Sequence, residues 1–243
     1  MNTSVQTISV TGLLWAFVPA AIVIGILFQW ACDVRTAMSA MARMLIQLLL
    51  IGYVLLYIFD ADHPGIILGV LTVMLLAASW IALRPLQNTQ PHLYGKAFGA
   101  ILLGGGFTLA LVTQIVLEVE PWFMPRYVIP LAGMIFASSM NSVSLAAERF
   151  QVECKKACTY VDARNTALQT SLIPILNSLF AVGLVSLPGM MTGQILSGVS
   201  PSVAAKYQIV VMCMIFGASG MSAALYLILA KGRGSHHTGV AVG

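Results

Sequence analysis

Long apolar runs separated by short polar stops make up most of this chain. The first, Gly12 to Trp30, ends at Cys32-Asp33-Val34-Arg35. A second, from about Met41 to Phe59, carries Arg43 and Gln47 near its start and stops at the polar turn Asp60-Ala61-Asp62-His63-Pro64-Gly65. Ile66 to Leu83 is the third and Ala97 to Leu117 the fourth, with Gly104-Gly105-Gly106 inside it; the fifth runs from about Tyr127 to Ala147. A sixth starts near Ser171, and the last runs from about Tyr207 to Ala230. Runs of about 20 apolar residues match the helix needed to cross a bilayer. The pattern predicts an all-α polytopic membrane protein with about seven transmembrane helices.

One stretch departs from this regularity. Between Ser171 and Ile209 an apolar helix breaks at Leu187-Pro188-Gly189, continues through Met190, Met191, Thr192, Gly193 and Gln194, and turns again at Gly198-Val199-Ser200-Pro201. Proline removes a backbone donor and disfavours helix in the residue before it. At membrane depth such backbone is tolerated where protein or a water-filled cavity satisfies it. The stretch is therefore a candidate pathway, or else a long kinked helix. Asn141 and Asn177, amides inside apolar runs, seek partners there, and so do Ser186 and Thr192. The candidate pathway set is Asn141, Asn177, Ser186, Pro188, Met190, Met191, Thr192 and Gln194. Thioethers suit soft metals and amide or hydroxyl oxygens harder cations, while adaptable packing is the plain reading of the methionines.

Charge sets the expected orientation. With seven spans, one side receives Arg35, Arg43, Arg84, Lys96, Arg149, Lys155, Lys156, Arg164, Lys231 and Arg233, ten of the 12 Lys and Arg residues. The other keeps Arg126 and Lys206 with Asp60, Asp62, Glu118 and Glu120. The positive-inside rule then places the N-terminus outside and the C-terminus in the cytoplasm. Arg43 at a helix end can snorkel to the interface. Residues 1–231 read as one transmembrane domain, 148–170 as its cytoplasmic loop, and the Gly-rich tail 232–243 with His236-His237 as disordered. The polar, uncharged start is unlike a secretory signal.

Composition narrows the class. Of 243 residues 59% are hydrophobic and 8% charged, against about 25% charged in soluble domains. The formal charge of +4 lies beside membrane segments and does not point to nucleic acid. Cys32, Cys154, Cys158 and Cys213 form no CxxC pair; Cys154 and Cys158 lie one helical turn apart, a weak metal or redox signal beside the plainer reading as reduced thiols. There is no GxxxxGK[ST], HExxH or GxSxG, so no nucleotide loop or hydrolytic constellation is legible. A conduit, not an enzyme, fits this pattern. The glycine run serves close helix packing or a gating hinge.

The run Leu184-Val-Ser-Leu-Pro-Gly-Met-Met-Thr-Gly-Gln-Ile-Leu-Ser-Gly-Val-Ser-Pro201 with Lys206-Tyr-Gln-Ile209 resembles the signature of a membrane family once catalogued as uncharacterised. That family includes FetB-type bacterial iron-export permeases and plant aluminium-tolerance permeases. Arg43-Met-Leu-Ile-Gln47, Gly52-Tyr-Val-Leu55, Val128-Ile-Pro-Leu-Ala-Gly-Met134 and Asn141 carry the likeness over roughly residues 40 to 230. The resemblance implies the permease subunit of a two-component ABC exporter in a bacterial inner membrane, a homodimer exporting iron or another metal. A separate ATP-binding subunit would bind ATP and Mg; this chain would need no cofactor. That subunit would press on the cytoplasmic loop, where Lys156, Thr159, Tyr160, Asp162 and Arg164 are the candidate coupling residues. Here the chain departs from bacterial relatives, which have a longer segment with a Leu-Gly-Ala-Thr element, and this bears on which ATPase it accepts. The competing readings are an ATPase-independent channel or secondary transporter, and ABC export of an organic substrate such as a nucleotide sugar. No intramembrane carboxylate is available to neutralise a metal cation.

Overall fold

The computed structural model describes residues 9–59, 63–86, 91–156 and 159–231. The turn residues Asp60 and Asp62, Cys158, Arg233 and the tail 232–243 lie outside the described residues. The chain packs as two units, Met1–Ala61 and Asp62–Gly243.

The first unit contains α1 (Val10–Trp15), α2 (Val18–Gln29) and α3 (Val34–Phe59). Ser9 caps α1 by accepting from the Gly12 amide at 3.1 Å. Asp33 does the same for α3, accepting from the Thr36 amide at 3.1 Å and from its hydroxyl at 2.5 Å; these bonds hold its carboxyl below the usual carboxylate range. The cap starts α3 seven residues before the apolar run from Met41, because a side chain that satisfies orphan amides sets a helix start as effectively as hydrophobicity. Within the described residues, Ile58 is the only buried residue of these three helices. Their apolar surface faces outward, as a bilayer permits.

The second unit contains α4 (Pro64–Ala82), α5 (Pro91–Leu111) with a π-helical turn at Val112–Val116, α6 (Pro125–Cys154), α7 (Tyr160–Ala181), α8 (Gly189–Leu196) and α9 (Pro201–Ala230). Four of these helices begin with proline, which fits the first turn because its missing N–H would be unpaired there anyway. α9 packs against α5, α6 and α7, and α6 also packs against α4, α5 and α7. Small residues make these contacts close. A Cβ on Gly104 would lie 2.6 Å from Ser222 Oγ and 2.7 Å from the Ser222 amide nitrogen, and one on Gly105 3.1 Å from Ile135. Gly104 and Gly105 are therefore packing positions that let α5 approach α9 and α6.

Among the described residues six helical segments are long and apolar enough to cross a membrane: Val10–Gln29, Val34–Phe59, Pro64–Ala82, Pro91–Val116, Pro125–Cys154 and Pro201–Ala230. Among the described residues there is no strand, only an isolated bridge between Val182 and Ser186. The charge-rich stretch 148–170 is helical on both flanks. α6 continues to Cys154, Lys155 caps it, and α7 starts at Tyr160, so the stretch is the tip of a helical hairpin. At ~1.5 Å per residue the 30 residues of α6 span about 45 Å, longer than the roughly 30 Å hydrocarbon core.

Candidate translocation site

The Pro188 break leaves few backbone groups loose. After α7 ends, the amides of Leu184, Val185 and Ser186 all turn back to the Ala181 carbonyl, at 3.2, 2.8 and 3.1 Å, and the Gly183 amide reaches the Ser186 carbonyl at 3.0 Å. Gly183 has φ +83°, a conformation glycine adopts without a Cβ clash. Pro188 then stands at the N-cap of α8, and its carbonyl accepts from Thr192 at 3.0 Å. α8 closes with amides of Gly198 and Val199 donating to the carbonyls of Ile195 and Gln194, both at 3.0 Å, and Gly198 at φ +91°. That is a Schellman ending, which satisfies carbonyls a helix end leaves open. Two tight turns thus carry a short helix across an interruption that is hydrogen-bonded within itself.

Three cavities follow one stripe of α6. One of about 620 Å³ lies between α6, α8 and α9 and is lined by Arg126, Pro130, Met134, Met190, Gln194 and Tyr207, among others. The next, about 440 Å³, shares Met134, Met190 and Val211 with the first and adds Ser138, Ser178, Ser186 and Gln208. A third of about 180 Å³ shares Ser138 and Ser178 with the second and adds Asn141, Ser142 and Ser219. Pro130, Met134, Ser138, Asn141 and Leu145 succeed one another at steps of four, four, three and four, which keeps them on one helix face. Apolar walls at one end give way to hydroxyls and amides at the other.

Several polar atoms along this line have no hydrogen-bond partner among the described residues. Gln208 is 6% exposed, and its Oε1 is buried and unpartnered. The same holds for Gln194 Oε1 and for the hydroxyl of Ser219. Burying a carbonyl oxygen without a donor costs about 1–3 kcal/mol. Among the described residues no carboxylate, imidazole or thiol lines these three cavities, and no group of three His, Cys, Asp or Glu side chains is gathered for a metal.

Of the residues singled out from sequence, Asn141 lines the third cavity, Ser186 and Pro188 the second, Gln194 the first, and Met190 both of the first two. Asn177 and Thr192 are exposed and Met191 half-buried, and none of the three lines a cavity. Thr192 bonds locally, its hydroxyl donating to the Pro188 carbonyl at 3.2 Å. Sequence reading missed Gln208, Met134, Ser138 and Arg126. Gln208 had the same signal as Asn141, a lone amide in an apolar run, but stood at the edge of its run beside Tyr207.

At the hairpin tip the coupling candidates form two local sets. Thr159 caps α7, accepting from the Asp162 amide at 3.2 Å while its hydroxyl donates to the Asp162 carboxylate at 2.6 Å. Lys156 and Arg149 both reach Glu153, at 3.1 and 2.7 Å. Tyr160 joins this tip to the end of α9: its hydroxyl donates to the Leu227 carbonyl at 3.1 Å, and Lys231 Nζ sits 5.0 Å from its ring centroid. Phe150 packs edge-on against the same ring at 6.0 Å, and the Arg164 guanidinium lies 5.8 Å from it.

Among the described residues six membrane-length helices, with a line of cavities in the second unit, define a multi-pass integral membrane protein. The family model described as "Uncharacterised protein family (UPF0014)" matches residues 10–233. The chain belongs to that family. It is 36% identical over 190 residues to a UPF0014 membrane protein of Synechocystis sp., covering 71% of this chain and 73% of that one. It is 34% identical over 215 residues to the Escherichia coli protein named "Probable iron export permease protein FetB", covering 82% of each. With "Protein ALUMINUM SENSITIVE 3" of Arabidopsis thaliana it shares 32% over 198 residues, 75% of this chain and 71% of that protein. No solved structure matches the chain.

Proposed function

We propose that this protein is the membrane-spanning permease subunit of a two-component ABC exporter. The observation that carries the reading is the succession of three half-open cavities along the Pro130–Leu145 face of α6, walled by α7, α8 and α9. A line of cavities that share wall residues along a spanning helix suits passage of a solute, and buried polar groups in membrane helices mark such routes. The name of the Escherichia coli relative supports transport as the activity and makes iron the first cargo to test.

In this reading α7, the turn at 182–188 and α8 make the seventh crossing, the N-terminus is outside and the C-terminus is cytoplasmic. The α6–α7 tip then faces a separate ATP-binding subunit, which binds ATP and Mg and hydrolyses the nucleotide. The permease works as a homodimer. Tyr160 would pass motion of the tip to α9 through its bond to the Leu227 carbonyl, and α9 forms a wall of all three cavities.

The test is co-purification with the candidate ATP-binding subunit, followed by ATP hydrolysis with wild type, a Tyr160→Ala/Arg164→Glu variant and a Lys155→Glu/Arg164→Glu variant that keeps the Tyr160 anchor. A stable complex whose hydrolysis is lost or uncoupled in both variants is the expected result. Absence of any complex, with solute movement by the chain alone in liposomes, would instead establish a channel or secondary transporter.

A further inference from the structure

We infer that the two larger cavities form one seat for an amphipathic organic anion, not for a bare metal ion. The inference rests on the permease reading for the ligand's role as cargo. The seat itself rests on geometry. The two cavities share Met134, Met190 and Val211 and measure about 620 and 440 Å³, the size range of organic-ligand sites and far more than one ion fills. Their walls are mostly aliphatic and thioether, so the body of the ligand is apolar.

Charge and hydrogen bonding define the rest of it. Among the described residues Arg126, which is exposed at the mouth of the first cavity, is the only charged residue lining either one. It makes no ion pair among the described residues. A guanidinium in a cavity that holds no carboxylate repels a cation and attracts an acidic group, with which it forms paired charge-assisted bonds. Gln194 lines the first cavity and the nearly fully buried Gln208 the second, and the Oε1 of each has no hydrogen-bond partner among the described residues, which gives the ligand N–H or O–H donors along its length. Thioethers, amides and hydroxyls can ligate a cation but bring no charge to offset its desolvation, and beside Arg126 the polar groups of these walls are of that neutral kind. Such an anion can come from the bilayer, as a lipid, or from solution.

The test uses the full chain in phosphatidylcholine nanodiscs and the fluorescent probe 11-(dansylamino)undecanoate, which combines a carboxylate, an alkyl body and an N–H donor. The expected result is saturable binding above that of empty discs, weakened about tenfold by Arg126→Gln and by Gln208→Leu, as for loss of a charge-assisted or a buried hydrogen bond. Asn177→Ala, away from the cavities, leaves affinity unchanged, and Gln208→Asn, which keeps an amide, recovers part of the loss. Displacement of the probe by phosphatidylglycerol in an Arg126-dependent manner would assign the bilayer as the source; no displacement would assign a soluble amphiphile. Probe signal equal to that of empty discs, or insensitive to both substitutions, overturns the inference. So does retention of radiolabelled Fe(II) alone by wild type but not by Gln208→Leu. Probe binding requires no ATPase. A probe that binds without an ATPase partner ever associating sinks the transport complex and leaves the seat, whereas coupled hydrolysis without Arg126-dependent binding does the reverse.

Discussion

Single residues decide how closely these helices approach. Gly104 meets Ser222 with no room for a methyl group, whereas Gly106 has only Leu102 of its own helix nearby, at 3.7 Å from a built Cβ. Gly104→Ala should destabilise the protein by about 1–3 kcal/mol through overpacking against backbone as well as side chain. Gly106→Ala should be neutral or stabilising by up to about 1 kcal/mol through helix propensity. Thermal denaturation of detergent-solubilised protein would compare them, and equal effects would contradict the packing assignment. The glycine triplet was visible in the sequence; which glycine met a neighbour was not, because that depends on how α5 and α9 are rotated against each other. For the same reason Gln208 is a buried wall residue while Asn177 is exposed, although each is an amide in an apolar run.

At the scale of elements, the hairpin of α6 and α7 is anchored at its tip by Tyr160. Tyr160→Phe keeps the ring contacts with Phe150, Arg164 and Lys231 and removes only the hydrogen bond to the Leu227 carbonyl. A cost of about 1 kcal/mol is expected, as for a typical intramolecular hydrogen bond. Limited trypsin cleavage after Lys155 or Lys156 should accelerate by roughly fivefold as the tip opens more often; an unchanged cleavage rate would show that the bond does not hold the tip. The α7–turn–α8 element shows how far sequence carries an element. Pro188, Gly189, Gly198 and Pro201 mark its boundaries by residue type alone. The three amides converging on the Ala181 carbonyl are a property of the folded turn. That turn carries Leu184 and Val185 at 91% and 85% exposure, with Phe180 at 80% just before it, an apolar surface suited to lipid.

For the whole molecule the question is sidedness. If α7 and α8 complete a crossing, Lys155 and Lys206 lie on opposite faces of the membrane, because one crossing separates them. In a variant with its four native cysteines replaced by serine, Lys206→Cys should react with an impermeant maleimide added to intact cells. Lys155→Cys should react only after the cells are opened. Labelling of both from the same side would show that the α7–α8 segment enters and leaves without crossing, which is the alternative its length and its central turn allow.

What the sequence determined by itself is the solvent for which this protein is built. Low charge, runs of bilayer length and proline at helix starts require all-helical membrane crossings, because apolar surface and backbone pairing leave little else. It also marked the interrupted stretch around Pro188, since a missing N–H is a chemical fact of the residue. Tertiary structure alone decided which faces of α6, α8 and α9 meet. Periodicity places Met134, Ser138 and Asn141 on one face of α6, yet nearly every face of these helices is apolar or small. Hydrophobic patterning therefore cannot say which face turns inward when the surrounding lipid is as apolar as the protein core. Close packing makes such choices: Gly104 against Ser222 fixes how α5 meets α9, and Gly105 against Ile135 how α5 meets α6, while Gln194 and Gln208 come to line cavities with no hydrogen-bond partner for Oε1 among the described residues.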